Sequence, residues 1–178
     1  MCGGVRQGGG MRSVDVLRDG FGRIEGLLRP VVEGASDEQL TRRVDPDANT
    51  LAWLVWHVAR EQDAQVAALA GTPQVWTAAG WARRFDLPFD DAAIGYGQSS
   101  DEVARVVATP DLLVGYLHDA TAASLAYVAD LSDEDLDDVV DERWDPPVTR
   151  GVRLMSILGD AFEHAGQAAF LRGVLDRT

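Results

Sequence analysis

The chain has three histidines, His57, His118 and His164, and two of them have a carboxylate one helical turn away. His57 precedes Glu61 by four positions, and His164 follows Asp160 by four. Residues four apart share a helix face with Cβ atoms ~6 Å apart, so each pair sets an imidazole beside a carboxylate. Two such faces turned toward each other would converge on one cation, which is how helix bundles commonly build internal metal sites. Imidazole nitrogen and carboxylate oxygen suit zinc, and three protein ligands leave a coordination position for water or substrate. Nickel, iron and manganese accept the same donors, so ligand type alone does not name the metal. Spacing alone also fits a plain ion pair along each helix, and at this level both readings stand.

Other residues are weaker candidates. Gln167, one turn past His164, is suited to orient a ligand or to be an ordinary surface amide. Arg143 and Trp144 lie just before Pro146 and Pro147 on a loop able to fold over a bundle mouth. A guanidinium beside an indole can hold an anionic ligand, or the two can simply stack. Glu61 reads as a neighbour of the site or as the partner of an arginine. His118 reads as a surface or satisfied core histidine, Trp53 and Trp56 as core, and Glu163 as pointing away from its neighbour His164. Gly95-Tyr96-Gly97 is too short to cradle phosphate, and no dinucleotide fingerprint, Cys-x-x-Cys pair or Ser-His-Asp order is present. Hydride transfer and nucleotide hydrolysis are thereby set aside.

The elements that must position these residues are helical. Four long segments repeat apolar residues at i, i+3, i+4 and i+7. The first is expected from an N-cap at Ser13, with Pro30 near its end. The second follows Asn49-Thr50 and stops at Gly71, the third starts at Thr109-Pro110, and the fourth runs from near Thr149 through Val174. The first two turns of the second segment are apolar nearly all round, which makes that helix central. A loop with Trp76, Trp81, Phe85 and Phe89 is expected between Thr72 and Gln98, then a short helix from Asp101 to Val107 capped by Ser99 or Ser100. Ser36-Asp-Glu-Gln-Leu40 and Ser132-Asp-Glu-Asp-Leu136 each read as a capped turn before a long helix, either as an internal echo or as a common helix start. Strand signals are almost absent, so the fold class is all-α, an antiparallel four-helix bundle.

Composition narrows the partners. A chain of 178 residues suffices for one core, so residues 13–178 read as a single domain behind a glycine-rich tail over 1–12 that is expected to be disordered, with Met11 as an alternative start. Asp and Glu number 29 against 16 basic residues, all arginine, giving a net charge of −13. Phosphate backbones and anionic lipid call for basic patches, so neither nucleic acid nor membrane is an expected partner. The lone cysteine, Cys2, allows no internal disulfide, which fits a reducing cytoplasmic location. An apolar outer helix face suits pairing, so a homodimer is one expected assembly.

Two runs carry a family resemblance. Leu51-Ala-Trp-Leu-Val-Trp-His57-Val-Ala-Arg-Glu-Gln-Asp63 resembles the second helix of the DinB-like metal-binding superfamily. Ile157-Leu-Gly-Asp160-Ala-Phe-Glu-His164-Ala-Gly-Gln167 resembles its fourth, where the pattern is His-x-x-x-His-x-x-Gln. The match spans nearly all of the chain after Met11. The resemblance implies up-down-down-up topology and a divalent ion, zinc first and nickel second, held by His57, Asp160 and His164. Asp160 departs from the pattern by replacing the first histidine of the pair. The actinobacterial branch related to mycothiol-dependent maleylpyruvate isomerase is similar in placing a carboxylate, though a glutamate, at that position. For function the resemblance implies a metal-dependent thiol transferase or isomerase that joins a low-molecular-weight thiol such as mycothiol to a small electrophile. Gln167, Arg143 and Trp144 would then be the residues facing thiol or substrate. A non-catalytic metal-stabilised interaction bundle and a metal-dependent hydrolase are the alternatives.

Overall fold

The computed structural model describes residues 10–177, so most of the tail expected over 1–12 lies outside the described residues. Residues 10–12 carry no regular structure and lead into α1 (Ser13–Val32). Ser13 is the first helical residue and not the cap. The N–H groups of Ser13 and Val14 donate instead to the Asp133 carboxylate at 3.2 and 3.0 Å, a long-range cap that local sequence cannot announce. Pro30 is accommodated in the last turn, and α1 ends two residues later.

Next comes α2 (Asp37–Thr41), with Ser36 and Gln39 forming the expected capping box. The central helix α3 (Leu51–Ala70) opens on Thr50, whose hydroxyl accepts the Trp53 N–H, and closes on Gly71 in the left-handed conformation. The loop expected over 72–98 contains two short helices, α4 (Val75–Ala78) and α5 (Trp81–Phe85), which bury Trp76, Trp81 and Phe85. Aromatic burial, and not helical period, organises that stretch. The following helix α6 (Ser100–Val103) is capped by Ser99 and is shorter than expected, because Val106 turns inward and Pro110 bars helix at Thr109. Then α7 (Pro110–Ala129) starts as expected with proline in its first turn.

Residues Glu134–Asp137 make only a 3-10 turn, so the second Ser-Asp-Glu run does not repeat α2. An antiparallel pair that the sequence did not signal follows, β1 (Val139–Asp141) and β2 (Val148–Thr149), closed by the segment with Pro146 and Pro147. The last helix, α8 (Arg150–Leu175), is capped by the Thr149 hydroxyl.

Side-chain contacts fix the topology. Gly20 meets Leu158 while Arg172 donates to the Val31 carbonyl, so α1 and α8 run parallel. A Cβ at Gly20 would lie 2.8 Å from the Leu158 side chain, so glycine permits that close approach. His57 faces Asp160 while Gln65 faces Arg153, so α3 and α8 are antiparallel. Arg60 and Gln62 reach Tyr116 and Thr121, making α3 and α7 parallel. His118 pairs with Glu25, and Asp133, just past α7, caps α1, so those two helices are antiparallel. The result is the up-down-down-up bundle, with α3 wedged between α7 and α8. Every residue from Leu51 to Asp63 is buried, which confirms the central place of this helix. That burial includes Arg60, Glu61, Gln62 and Asp63, and each must find a partner or remain exceptional. Among the described residues no helix is long and apolar enough to cross a membrane.

Candidate metal centre

Helices α3 and α8 bring His57, Asp160 and His164 together, with one donor atom from each residue lying within 4.8 Å of the others. His57 Nε2 stands 3.7 Å from Asp160 Oδ2, and His164 Nε2 stands 3.6 Å from Asp160 Oδ1. The two imidazoles meet edge to face with centroids 4.9 Å apart. Both point Nε2 inward because their Nδ1 atoms are engaged behind them. His57 Nδ1–H donates to the Ile94 carbonyl at 2.5 Å, and His164 Nδ1–H donates to Gln167 Oε1 at 3.1 Å. A carbonyl or amide oxygen behind the ring is the usual device for presenting the other nitrogen as a lone pair. Burial holds the His57 pKa below its ordinary value, against the Ile94 carbonyl and the Asp160 charge, and so favours the neutral donor form.

The carboxylates show what this constellation lacks. Asp160 Oδ2 is buried without a hydrogen-bond partner, and so is Glu61 Oε2 one turn beyond His57. Glu61 Oε1 accepts from Gln65 Nε2. Burial, and then the Asp160 charge, push the Glu61 pKa up to about 8. Unpartnered buried atoms occur elsewhere, at Trp56 and Trp76 for example, but among the described residues only here are two of them carboxylate oxygens. Two imidazole nitrogens and an unsatisfied carboxylate oxygen facing one point are donors that suit a divalent cation. Asp160 and His164 keep side-chain exposures of 33% and 17%, so the point is reachable from solvent.

The support behind the ligands was only partly legible in the sequence. Trp53 stacks on His57 at 4.5 Å and meets His164 edge-on, so it is a wall of the site as well as a core residue. Its indole N–H donates to Gln98 Oε1 at 2.7 Å. Gly95, with φ of 97°, lets the backbone pass so close that a Cβ would stand 2.6 Å from His57 Nδ1. The Gly-Tyr-Gly segment is thus no phosphate cradle but a brace behind an imidazole. Arg60, fully buried, donates to the Ala93 and Asp91 carbonyls at 3.1 Å and so holds the loop that presents Ile94. Only the glycines flanking Tyr96 hinted at this brace.

The fold is shared with known proteins. The family model for mycothiol-S-transferase matches residues 17–177. The chain belongs to the mycothiol-S-transferase family. No curated protein matches it. Among solved structures, a conserved protein from Enterococcus faecalis is similar at 31% identity and a TM-score of 0.87, covering 94% of this chain and 99% of its own. The family and the DinB-like bundle are those that the two helix runs implied.

In this transferase-family chain Gln167 backs the triad, whereas Arg143 and Trp144 lie apart from it. Gln167 touches His164 from behind. Arg143 pairs with Asp141 at 2.9 Å on the β1–β2 hairpin, and Trp144 is 63% exposed; neither touches the three donors. His118 lies on the surface 3.0 Å from Glu25, and Glu163 faces solvent, both as expected.

Proposed function

We propose that this protein is a metal-dependent transferase that joins the thiol of mycothiol to a small electrophile, with His57 Nε2, Asp160 and His164 Nε2 as the protein ligands. The observation that carries this reading is the buried, unpartnered Asp160 oxygen facing two imidazoles whose far nitrogens are already engaged. A divalent ion held there, zinc by its preference for these donors and nickel next, supplies a Lewis acid that keeps a thiol in its thiolate form. The Ile94 carbonyl and Gln167 fix the tautomer and tilt of each imidazole. Trp53 closes the apolar side of the site and limits water there. Glu61 Oε2, a turn from His57 and without a hydrogen-bond partner, would take the proton the thiol releases once a bound cation lowers its raised pKa and leaves it a carboxylate. The thiol S–H bond breaks and one sulfur–carbon bond forms, and the thiol proton leaves through Glu61 to solvent. On the electrophile, either a leaving group such as the chloride of monochlorobimane departs with its bonding pair, or an activated C=C bond opens and takes up a proton from solvent.

The test is conjugation of mycothiol to monochlorobimane by zinc-loaded protein. The expected outcome is turnover above the uncatalysed rate that is lost in His164→Ala and in protein stripped with chelator. Equal rates with and without the protein would reject the transferase reading.

A further inference from the structure

A groove of about 570 Å³ lies between α3, α8 and the β1–β2 hairpin, with Gln65 on the side toward the metal centre. Its lining departs from the rest of the chain in charge. The protein as a whole has 29 acidic residues against 16 basic ones, yet the groove is lined by Arg143, Arg150 and Arg153 with Asp141 as its one acid. Asp141 does not cancel them. Its carboxylate, held well below the usual range by hydrogen bonds from Arg143, accepts from Arg143 Nε at 2.9 Å and from Arg153 at 3.0 Å. Arg150 is paired with Asp138 at 2.9 Å, so the excess positive charge of the lining comes from Arg143 and Arg153, two guanidiniums from different elements gathered by the one buried anion. The opposite wall is apolar, from Ala64, Ala68 and Leu69 of α3.

The groove is connected to the metal centre. Gln65, on its edge, donates to Glu61 and accepts from Arg153 at 3.2 Å, and Glu61 feels the Asp160 charge. Along α3 the distance from His57 to Gln65 is eight residues, or ~12 Å at 1.5 Å per residue. A molecule lying along the seam would thus have its reacting atom at the triad and its far end among the arginines.

We infer that this groove is a carboxylate-binding subsite, in which Arg143 and Arg153 hold the acid end of an electrophile whose body runs back past Gln65 and Ala64 toward the triad. The assignment of that acid to the electrophile rests on the transferase reading above; the subsite itself does not. The electrophile is then a medium-chain organic acid with its reactive carbon about 10 Å from the carboxylate, a span set by the helix rise.

Two measurements separate the claims. Calorimetric titration with hexanoate is expected to show saturable binding to the wild-type protein, at least tenfold weaker in Arg153→Gln and in the fully exposed Arg143→Gln, and no binding of hexanamide. Conjugation of mycothiol to maleimidohexanoic acid, against its methyl ester, is expected to show a kcat/KM preference for the acid of about tenfold that falls toward one in both variants. Equal binding of hexanoate and hexanamide, or hexanoate binding untouched by both substitutions, overturns the subsite. Intact hexanoate binding without turnover of either electrophile would support the subsite and reject the transferase.

Discussion

Helix α3 carries two buried polar clusters on adjacent faces, and they are finished differently. On the α7 side, Arg60 donates to Tyr116, Gln74 and two backbone carbonyls, while Asp63 accepts from Val75, Trp76 and Tyr116. Every nitrogen and oxygen of those two side chains has a partner, and beside them the neutral Gln62 Oε1 lacks one while its Nε2 donates to Thr121. On the α8 side, His57 and Glu61 face Asp160 and His164, and two carboxylate oxygens there have none. A closed buried network rigidifies the fold, whereas an open one made of good metal donors is incomplete without a ligand. The same helix therefore serves as scaffold on one face and as site on the other. Arg60 links the two, because the loop it holds is the loop that orients His57.

The comparison is broken most severely at Asp63. Asp63→Ala leaves a buried guanidinium without its carboxylate and is expected to lower unfolding free energy by about 3–5 kcal/mol. Asp160→Asn, in metal-free protein, is expected to leave stability unchanged or raised, since it removes a buried charge without a hydrogen-bond donor and offers His57 Nε2 an amide N–H. Denaturant melts of the two variants side by side check this, and equal losses would erase the distinction between the faces.

A smaller effect is expected at the brace. Gly95→Ala forces a Cβ against His57 Nδ1 at positive φ, with a stability loss of about 1–3 kcal/mol. Zinc affinity should fall with it, as the imidazole loses its backing carbonyl. Retained affinity at wild-type level would mean that Ile94 does not position the ring.

The open face should also show in pH dependence. Glu61 is protonated in the folded protein up to about pH 8, while in the unfolded chain it ionises near the ordinary carboxyl value. A carboxyl with a raised folded pKa favours folding at low pH and loses that advantage as pH rises through about 8, so metal-free protein should weaken across this window. Glu61→Gln should flatten the slope, and zinc should flatten it in the wild type by stabilising the carboxylate. Thermal melts at several pH values decide it; an unchanged slope in Glu61→Gln would place the titration elsewhere. The smallest effect belongs to His118→Gln on the surface, within about 0.5 kcal/mol and without change in zinc binding.

Much of this architecture was legible in the sequence, for reasons that are local. The second long helix was bounded correctly because Thr50 and Gly71 are strong cap residues, and the third because Thr109-Pro110 is a strong start. The pairs His57 and Glu61, and Asp160 and His164, were visible because helical spacing is rigid. What sequence did not reveal depends on distant partners: the Asp133 cap on α1, the hairpin before α8, and the Ile94 carbonyl behind His57. Arg60 looked like one more polar residue in the second helix, because its meaning comes from a loop more than thirty positions away. The loop expected over 72–98 hid two helices for a related reason, since Trp76, Trp81 and Phe85 fold by packing on Tyr116 and not by their own period.

The central claim is that His57, Asp160 and His164 form one divalent-cation site. Equilibrium dialysis of chelator-stripped protein against zinc, followed by elemental analysis, tests it most directly in wild type and His57→Ala. One zinc per chain is expected in the wild type, and none retained at the same free zinc in the variant. Equal zinc in the two proteins, or none in either, would contradict it.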